Sequence, residues 1–156
     1  MSGVFEADTA LGEELVALRR RLHAHPEVGL QTPRTQAVIL EALDGLGLEI
    51  TTGRSISSVT AVLRGGRPGP VVLLRADMDG LPVTEATGLD FASADGTMHA
   101  CGHDLHVAGL VGAARMLAAR REELPGTVVL MFEPGEEGYA GARTMLEEGV
   151  LDAAGE

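Results

Sequence analysis

The chain contains no lysine, so arginine supplies all 12 of its basic residues, against 23 acidic ones. The net charge of −11 argues against nucleic acid as a partner, because a polyanion is bound by a basic surface. There is a single cysteine, Cys101, which excludes an intramolecular disulfide. Nothing in the cysteine content therefore points to an oxidising compartment.

Long apolar runs are missing as well. No stretch is long enough to cross a bilayer, and residues 1–11 are polar and acidic, unlike a signal peptide. We therefore expect a soluble cytoplasmic protein with no membrane partner. The 156 residues are 45% hydrophobic, which suits one domain, or part of a larger one, with a sizeable core.

Helical and strand patterns alternate along the chain. The apolar spacing predicts helices at residues 11–25, 33–46, 105–121 and 140–148, and strands at 48–52, 59–64, 70–75 and 127–132. The strands at 70–75 and 127–132 are continuous apolar runs, which is typical of strands buried on both faces. Residues 65–69 are expected to form a turn, and residues 84–100 a long functional loop. The predicted class is α/β, with a central mostly parallel or mixed sheet flanked by helices.

The densest chemistry lies in residues 97–106 (TMHACGHDLH), which hold the cysteine and three of the five histidines. In an extended loop Cys101 and His103 can point the same way, and a thiolate beside an imidazole suits zinc or a similar divalent metal. Asp104 is placed to cap the helix that follows. The alternatives are a buried structural cysteine and a nucleophilic Cys–His pair. Nearby acidic residues disfavour the nucleophile because they raise the thiol pKa.

Two pairs of carboxylates follow the two buried strands. Glu136 and Glu137 come after a Pro-Gly turn and could supply a metal ligand and a general base, or could lie in solvent. Asp77 and Asp79 could bind metal or orient a ligand imidazole, or could serve only a turn. Since ligands bind beyond the carboxyl ends of strands in α/β sheets, we expect both pairs to meet residues 97–106 at one edge.

The other histidines are less informative. His106 could face the site or simply pack, and His99 could support the site or face solvent. His23 and His25 end the first helix, where a structural role is the better interpretation. Arg75, at the end of a strand, is placed to pair with one of the two aspartates that follow it.

Four motifs together resemble a known family, and they occur in its order. They are residues 18–27 (LRRRLHAHPE), 74–83 (LRADMDGLPV), 98–104 (MHACGHD) and 134–137 (PGEE). The chain from about residue 15 to residue 151 is similar to the N-terminal part of the metal-dependent amidohydrolases. These include hippurate hydrolases, N-acyl-amino-acid aminoacylases, N-acetyldiaminopimelate deacetylases and auxin-conjugate hydrolases, within the aminoacylase and carboxypeptidase-like zinc exopeptidases.

The resemblance implies a centre with two divalent metal ions, either zinc, manganese, nickel or cobalt. By position, Cys101, His103 and Glu137 are the implied metal ligands. Glu136 is the implied general base, and Asp79 is counted with it as catalytic because it matches an aspartate that supports the metal centre. The implied reaction is hydrolysis of the amide bond of N-acyl amino acids, or similar small amides and peptides. The products are a carboxylic acid and a free amino acid.

The sequence also departs from the family pattern. Gly135 stands where alanine is more frequent, which should not affect the chemistry. The family carries further histidine ligands downstream and an inserted lid or dimerisation domain, whereas no histidine follows His106 here. We therefore expect residues 1–156 to be the N-terminal part of a truncated zinc-exopeptidase-like catalytic domain. A homodimer is an expectation for the full-length form only.

Three functions stay open at this point. The first is a metal-dependent amidohydrolase, the second a catalytically incomplete metal-binding fragment without turnover, and the third a cysteine-dependent hydrolase. Chelation separates the first from the third, because only the first needs metal. Metal retention without turnover would identify the second.

Overall fold

The computed structural model describes residues 9–155. Residues 1–8, which carry most of the segment that lacks a signal-peptide pattern, lie outside the described residues. The helices are α1 (Thr9–His23), α2 (Pro33–Leu43), α3 (His103–Ala118) and α4 (Gly141–Glu147). The strands are β1 (Glu49–Thr52), β2 (Val59–Arg64), β3 (Arg67–Asp77) and β4 (Pro125–Glu133). Short 3-10 helices occupy Arg121–Glu123 and Val150–Asp152.

The strands form one mixed sheet in the order β1-β2-β4-β3. The β1–β2 and β2–β4 pairs are antiparallel, whereas β3 and β4 run parallel. Parallel neighbours need a crossover, and α3 lies in the connection between β3 and β4. The predicted α/β class with a mixed sheet flanked by helices is confirmed.

Alternation along β4 divides the core between the two faces of the sheet. Leu130 and Phe132 belong to the main apolar cluster, which includes residues from α1, α2 and α3. Met131 points to the other face and packs with Met145 of α4 in a smaller cluster. Helices therefore cover both faces of this strand. Between residues 9 and 155, no helix is both long and apolar enough to cross a membrane.

The most important correction concerns β3, which was predicted to be buried on both faces. It is an edge strand, and Val71, Val72 and Leu73 are 39%, 47% and 37% exposed. The apolar run indicates that these residues favour a strand. Their burial, however, depends on whether other strands lie on both sides of β3. The strand also begins at Arg67, inside the predicted turn, because residues 67–69 extend along the start of β4.

Helix boundaries also differ from the prediction: α1 ends at His23 rather than at residue 25, and α3 ends at Ala118 rather than at residue 121. The second helix ends at Leu43 rather than at residue 46, because Asp44 takes an extended conformation before Gly45, which has a φ of 73°. The helix predicted from residue 105 begins earlier, at His103, directly after Gly102 in the left-handed region. Asp104 is thus inside α3 and does not cap it. Its carboxylate is fully buried and pairs with Arg19.

Candidate metal centre

The carboxyl ends of β3 and β4 lie side by side, because Asp77 is in register with Glu133. The Met78 amide extends this pairing by donating to the carbonyl of Glu133 at 2.9 Å. Segments that follow the two strands therefore start from the same edge of the sheet. This geometry confirms the predicted convergence of the two carboxylate pairs.

The loop that carries Cys101 is brought to the same edge by backbone hydrogen bonds. Leu81 and Met98 each donate an amide to the other's carbonyl at 2.9 Å. This bridge ties the segment after β3 to the segment before α3. Gly102, with a φ of 79°, then turns the chain so that Cys101 precedes and His103 begins the helix.

Three of the predicted ligands come together. The donor atoms of Cys101, His103 and Glu137 all lie within 4.8 Å of one another. Cys101 is exposed, His103 is buried and Glu137 is half-buried, so the group opens to solvent on the cysteine side. A thiol, an imidazole and a carboxylate at this spacing match the donor set that zinc and related divalent metals prefer.

The imidazole of His103 is oriented for such a role. Its Nδ1 lies 2.8 Å from the backbone oxygen of Asp79 and 3.5 Å from the Asp79 carboxylate. Nε2 is left facing the carboxylates of Glu136 at 3.7 Å and Glu137 at 3.9 Å. A carbonyl or carboxylate that holds one ring nitrogen while the other faces the ligand group is the usual support of a metal-binding histidine.

Asp79 also orders the two glutamates. Its carboxylate oxygens accept the amides of Glu136 at 3.0 Å and Glu137 at 3.2 Å. Burial alone would raise the pKa of Asp79, but the hydrogen bonds from His103 and these two amides outweigh it and lower the pKa. The buried aspartate is thus a fixed negative charge between the histidine and the glutamate turn.

The electrostatics of the cluster favour a cation. A hydrogen bond with Glu137 raises the pKa of the Cys101 thiol, as do burial and the charges of Glu136 and Asp77. Burial by itself would lower the pKa of His103, but Asp79 and Asp77 raise it overall. A divalent ion would offset this concentrated negative charge and stabilise the thiolate. The residues present therefore fit a metal ion.

Asp77 and His106 form a second group around the same histidine. Nδ1 of His106 is 2.6 Å from the Asp77 carboxylate, and the rings of His106 and His103 stack with centroids 5.6 Å apart. Donor atoms of Asp77, His103 and His106 also lie within 4.8 Å of one another. His106 thus faces the site, which the sequence had left undecided.

The remaining candidates take different places. His99 is 4% exposed, so it does not face solvent, and burial lowers its pKa to about 4. Arg75 pairs with Asp77 as predicted, at 3.5 Å, but more closely with Glu133, at 2.5 Å. Glu133 also accepts the amide of Ala142 at 2.7 Å and thereby anchors the start of α4. Sequence reasoning missed this buried glutamate, whose one signal was its position beside the glutamate motif.

A mixed α/β sheet carries thiol, imidazole and carboxylate donors at the carboxyl edge of its parallel strands, an arrangement that fits a metal-binding domain. A family model described as "Peptidase family M20/M25/M40" matches residues 73–155. The chain belongs to this peptidase family, and the resemblance inferred from the four motifs is confirmed.

Individual relatives agree with this assignment. The chain is 47% identical over 148 residues to an N-acetylcysteine deacetylase of Bacillus subtilis, covering 94% of this chain and 39% of the relative. It is 41% identical over 141 residues to an N-acyl-L-amino acid amidohydrolase of Geobacillus stearothermophilus, covering 89% and 38%. This chain therefore spans about two fifths of the length of these relatives.

A solved structure shows the same fold. A Bacillus subtilis protein, described as a dinuclear metal binding peptidase from the M20 family, matches with a TM-score of 0.89 and 47% identity. The match covers 94% of this chain and 41% of that one. The prediction of a zinc-exopeptidase-like catalytic-domain fold is confirmed.

Proposed function

We propose that this chain carries the catalytic glutamate and part of the metal centre of an amidohydrolase that acts on N-acyl amino acids. The observation that supports the proposal most directly is the convergence of Cys101, His103 and Glu137 within 4.8 Å, with Glu136 beside them. The N-acyl amino acid substrate is suggested by the relatives, which include deacetylases and an N-acyl-L-amino acid amidohydrolase.

In this proposal Cys101, His103 and Glu137 hold metal, and two divalent ions complete the centre. The B. subtilis structure described as dinuclear supports that number. Bound divalent ions would supply the Lewis acidity that activates water and polarises the amide carbonyl. The metal is one of zinc, manganese, nickel and cobalt, all of which accept mixed sulfur, nitrogen and oxygen donors.

Glu136 is the proposed general base. Its side chain is 39% exposed and close to His103, so it can reach both the centre and an incoming substrate. The carboxylate accepts a proton from water as the water oxygen bonds to the acyl carbon. It then gives that proton to the amine nitrogen as the carbon–nitrogen bond breaks. The products are a carboxylic acid and a free amino acid.

Asp79 is a positioning residue in this scheme, because it contacts His103 and the amides of the two glutamates and does not reach the reacting atoms. Its buried carboxylate holds the base and two ligands in one arrangement. We also propose that residues 1–156 form the N-terminal part of the catalytic domain. The share of each relative that the chain covers supports the view that it is part of such a domain, and the order of the four motifs is the ground for placing it at the N-terminal side. The cytoplasmic location and the homodimer of the full-length form stay predictions.

A second candidate is metal binding without turnover, and one observation favours it. Both donor groups use His103, whose Nδ1 is held by Asp79, so its Nε2 can serve one ion at a time. The donors among residues 9–155 therefore complete one ion more readily than two.

The deciding experiment measures metal content and hydrolysis of an N-acetyl amino acid on the same purified sample. Hydrolysis that is lost on chelation and in Glu136→Gln, while that variant still binds metal, would support the amidohydrolase. The matched control is Glu147→Gln, since Glu147 is an exposed glutamate of α4. Metal retention without hydrolysis would favour the second candidate. Hydrolysis that survives chelation would contradict both.

A further inference from the structure

The motif at the end of α1 matches the family pattern, yet none of its residues belongs to the donor groups of the metal centre. His23 lies in this motif and is 3% exposed. Its Nδ1 is 2.8 Å from the carboxylate of Asp104, and its Nε2 is 3.0 Å from the carboxylate of Glu85. The carboxylates are hydrogen-bond acceptors, so the ring bridges two acidic side chains that lie on different segments. A terminal nitrogen of Arg19 also approaches Nδ1, at 3.4 Å.

An arginine supports the same aspartate. Nε of Arg19, one helical turn before His23, lies 2.6 Å from the Asp104 carboxylate, which is fully buried. A buried carboxylate is costly unless it is paired and hydrogen-bonded, and Arg19 and His23, on one face of α1, both contact its Oδ2. Oδ1 of Asp104 has no hydrogen-bond partner among the described residues, so these two side chains hold the carboxylate through one oxygen.

Glu85 brings the long loop to this cluster. Its carboxylate accepts the amide of Ser93 at 2.6 Å and a hydrogen bond from the Thr87 hydroxyl, so it shapes the loop from within. The loop also places Phe91 edge-on to the ring of His23, with centroids 5.5 Å apart, and 5.1 Å from the guanidinium of Arg19. These aromatic contacts reinforce the ionic ones.

Both partners of His23 connect to the ligand pair. Asp104 directly follows His103 in the first turn of α3, and the loop that contains Glu85 leads into Cys101. A side chain that holds both segments sets how the two ligands face each other. The effect acts through the backbone, since His23 touches neither ligand in the polar and ring contacts of the described residues.

We infer that His23 is a positioning residue for the Cys101–His103 ligand pair, acting as a hydrogen-bonded tie between Asp104 and Glu85. The inference rests on the proposed metal centre. It assigns a role in that centre to His23, the residue of the motif at 18–27 with which α1 ends.

The test uses Co²⁺, because a cysteine thiolate bound to Co²⁺ absorbs in the near ultraviolet and reports ligand geometry without turnover. The variants are His23→Gln and Glu85→Gln. Their matched controls are His25→Gln, an exposed histidine two residues along, and Glu41→Gln, which breaks an exposed ion pair with Arg21. Circular dichroism establishes for each variant that the chain is folded at the temperature of the titration.

We expect folded His23→Gln to bind Co²⁺ about 10–100-fold more weakly, with an altered thiolate band, as is typical when the support of a ligand is removed. Glu85→Gln should show a smaller loss, and both controls should titrate like the unsubstituted chain. A folded His23→Gln with unchanged affinity and band would overturn the inference.

If His23→Gln does not fold, Glu85→Gln decides, because it keeps an acceptor and removes only the charge. Unchanged Co²⁺ binding by that variant would overturn the inference, and so would unfolding of both variants, which would assign the tie to the fold alone. Failure of the unsubstituted chain to give a thiolate–Co²⁺ band contradicts the proposed metal centre itself. The two failures are therefore distinguishable.

Discussion

Single carboxylates organise this site more than the donor atoms themselves do. Asp79 contacts the imidazole of His103 and the amides of Glu136 and Glu137, so one buried side chain orders three residues of the proposed centre. Glu85 orders the loop that leads to Cys101, because its carboxylate accepts hydrogen bonds from Thr87 and Ser93 and contacts His23. Each acts because its charge is held in a fixed place by hydrogen bonds, which keeps the carboxylate ionised.

The contribution of Glu85 to the free energy of unfolding should depend on pH in the acid range. The Thr87 hydroxyl lowers the pKa of Glu85 from 4.5 to about 2; burial opposes the shift, and His23 and the Ser93 amide add to it. Because the pKa is lower in the folded state, the stabilisation is complete above pH 4.5 and is lost as the pH falls towards 2. Urea unfolding of the unsubstituted chain and Glu85→Gln should therefore differ most above pH 4.5 and converge in acid.

Glu147→Gln serves as the control for this measurement, since Glu147 is an exposed residue at the end of α4. The difference in free energy of unfolding between Glu147→Gln and the unsubstituted chain should not change in the same way with pH. A Glu85→Gln difference that stayed constant, or grew, as the pH fell would contradict the role assigned to this carboxylate.

At the scale of elements, the place of each strand in the sheet decides its energetic weight. Leu130 of β4 is fully buried between neighbours, whereas Leu73 of the edge strand β3 is 37% exposed. Leu130→Ala should lower the free energy of unfolding by about 2–5 kcal/mol, because it removes buried methyl groups and leaves a cavity. Leu73→Ala should cost about 1 kcal/mol, since its side chain already meets solvent.

Urea denaturation of the two leucine variants provides the comparison. The substitution is the same in both variants, so a difference between their losses of stability is due to burial and not to residue type. Equal losses of stability would mean that β3 is covered in solution, and the edge position described here would be wrong.

The start of α3 depends on one glycine between the two proposed ligands. Gly102 has a φ of 79° and only Leu105 within 4 Å of an added Cβ, so conformation, not space, limits substitution. Gly102→Ala should cost about 1–2 kcal/mol of stability, the usual penalty of a left-handed residue with a side chain. It should also weaken Co²⁺ binding, because Cys101 and His103 flank the strained position.

Gly109, in the same helix, is the matched control. It has helical backbone and nothing within 4 Å of an added Cβ. Gly109→Ala should stabilise the chain by about 0.5–1 kcal/mol, since alanine loses less backbone entropy in a helix. A Gly102→Ala variant as stable as Gly109→Ala, measured by thermal unfolding, would contradict this account.

For the whole molecule, metal binding should couple to folding. The three donors come from the segment before α3, its first residue and the turn after β4, which come together only in the folded chain. Free metal at about 100 times its Kd should stabilise the fold by about 2.7 kcal/mol, a rise in Tm of about 5–10 °C for a chain of this size.

Differential scanning fluorimetry with Zn²⁺, before and after a chelator, measures this shift. The chelator should reverse it, and Cys101→Ser should abolish most of it, whereas His25→Gln should keep it. An equal rise in Tm for Cys101→Ser would show that the metal binds elsewhere.

The amino-acid sequence by itself determined the α/β class and most of the elements, because apolar periodicity and glycine positions act locally. It also indicated Cys101, His103, Glu136 and Glu137 as candidates, because residue types suited to metal binding and acid–base chemistry lie close together in short motifs, and the structure brings these four side chains together. The predicted strand at 59–64 and the short helix before Gly149 are confirmed on the same local grounds.

Only the tertiary structure decided which residues support that site and which strand is exposed. His23 is 81 residues from Asp104 and 62 from Glu85, and Asp79 is 57 residues from Glu136. No local sequence pattern encodes such pairings. An apolar run such as that of β3 is equally compatible with a strand at the edge and a strand in the centre of a sheet. These features depend on which distant segments become neighbours, and that is set by packing of the whole chain.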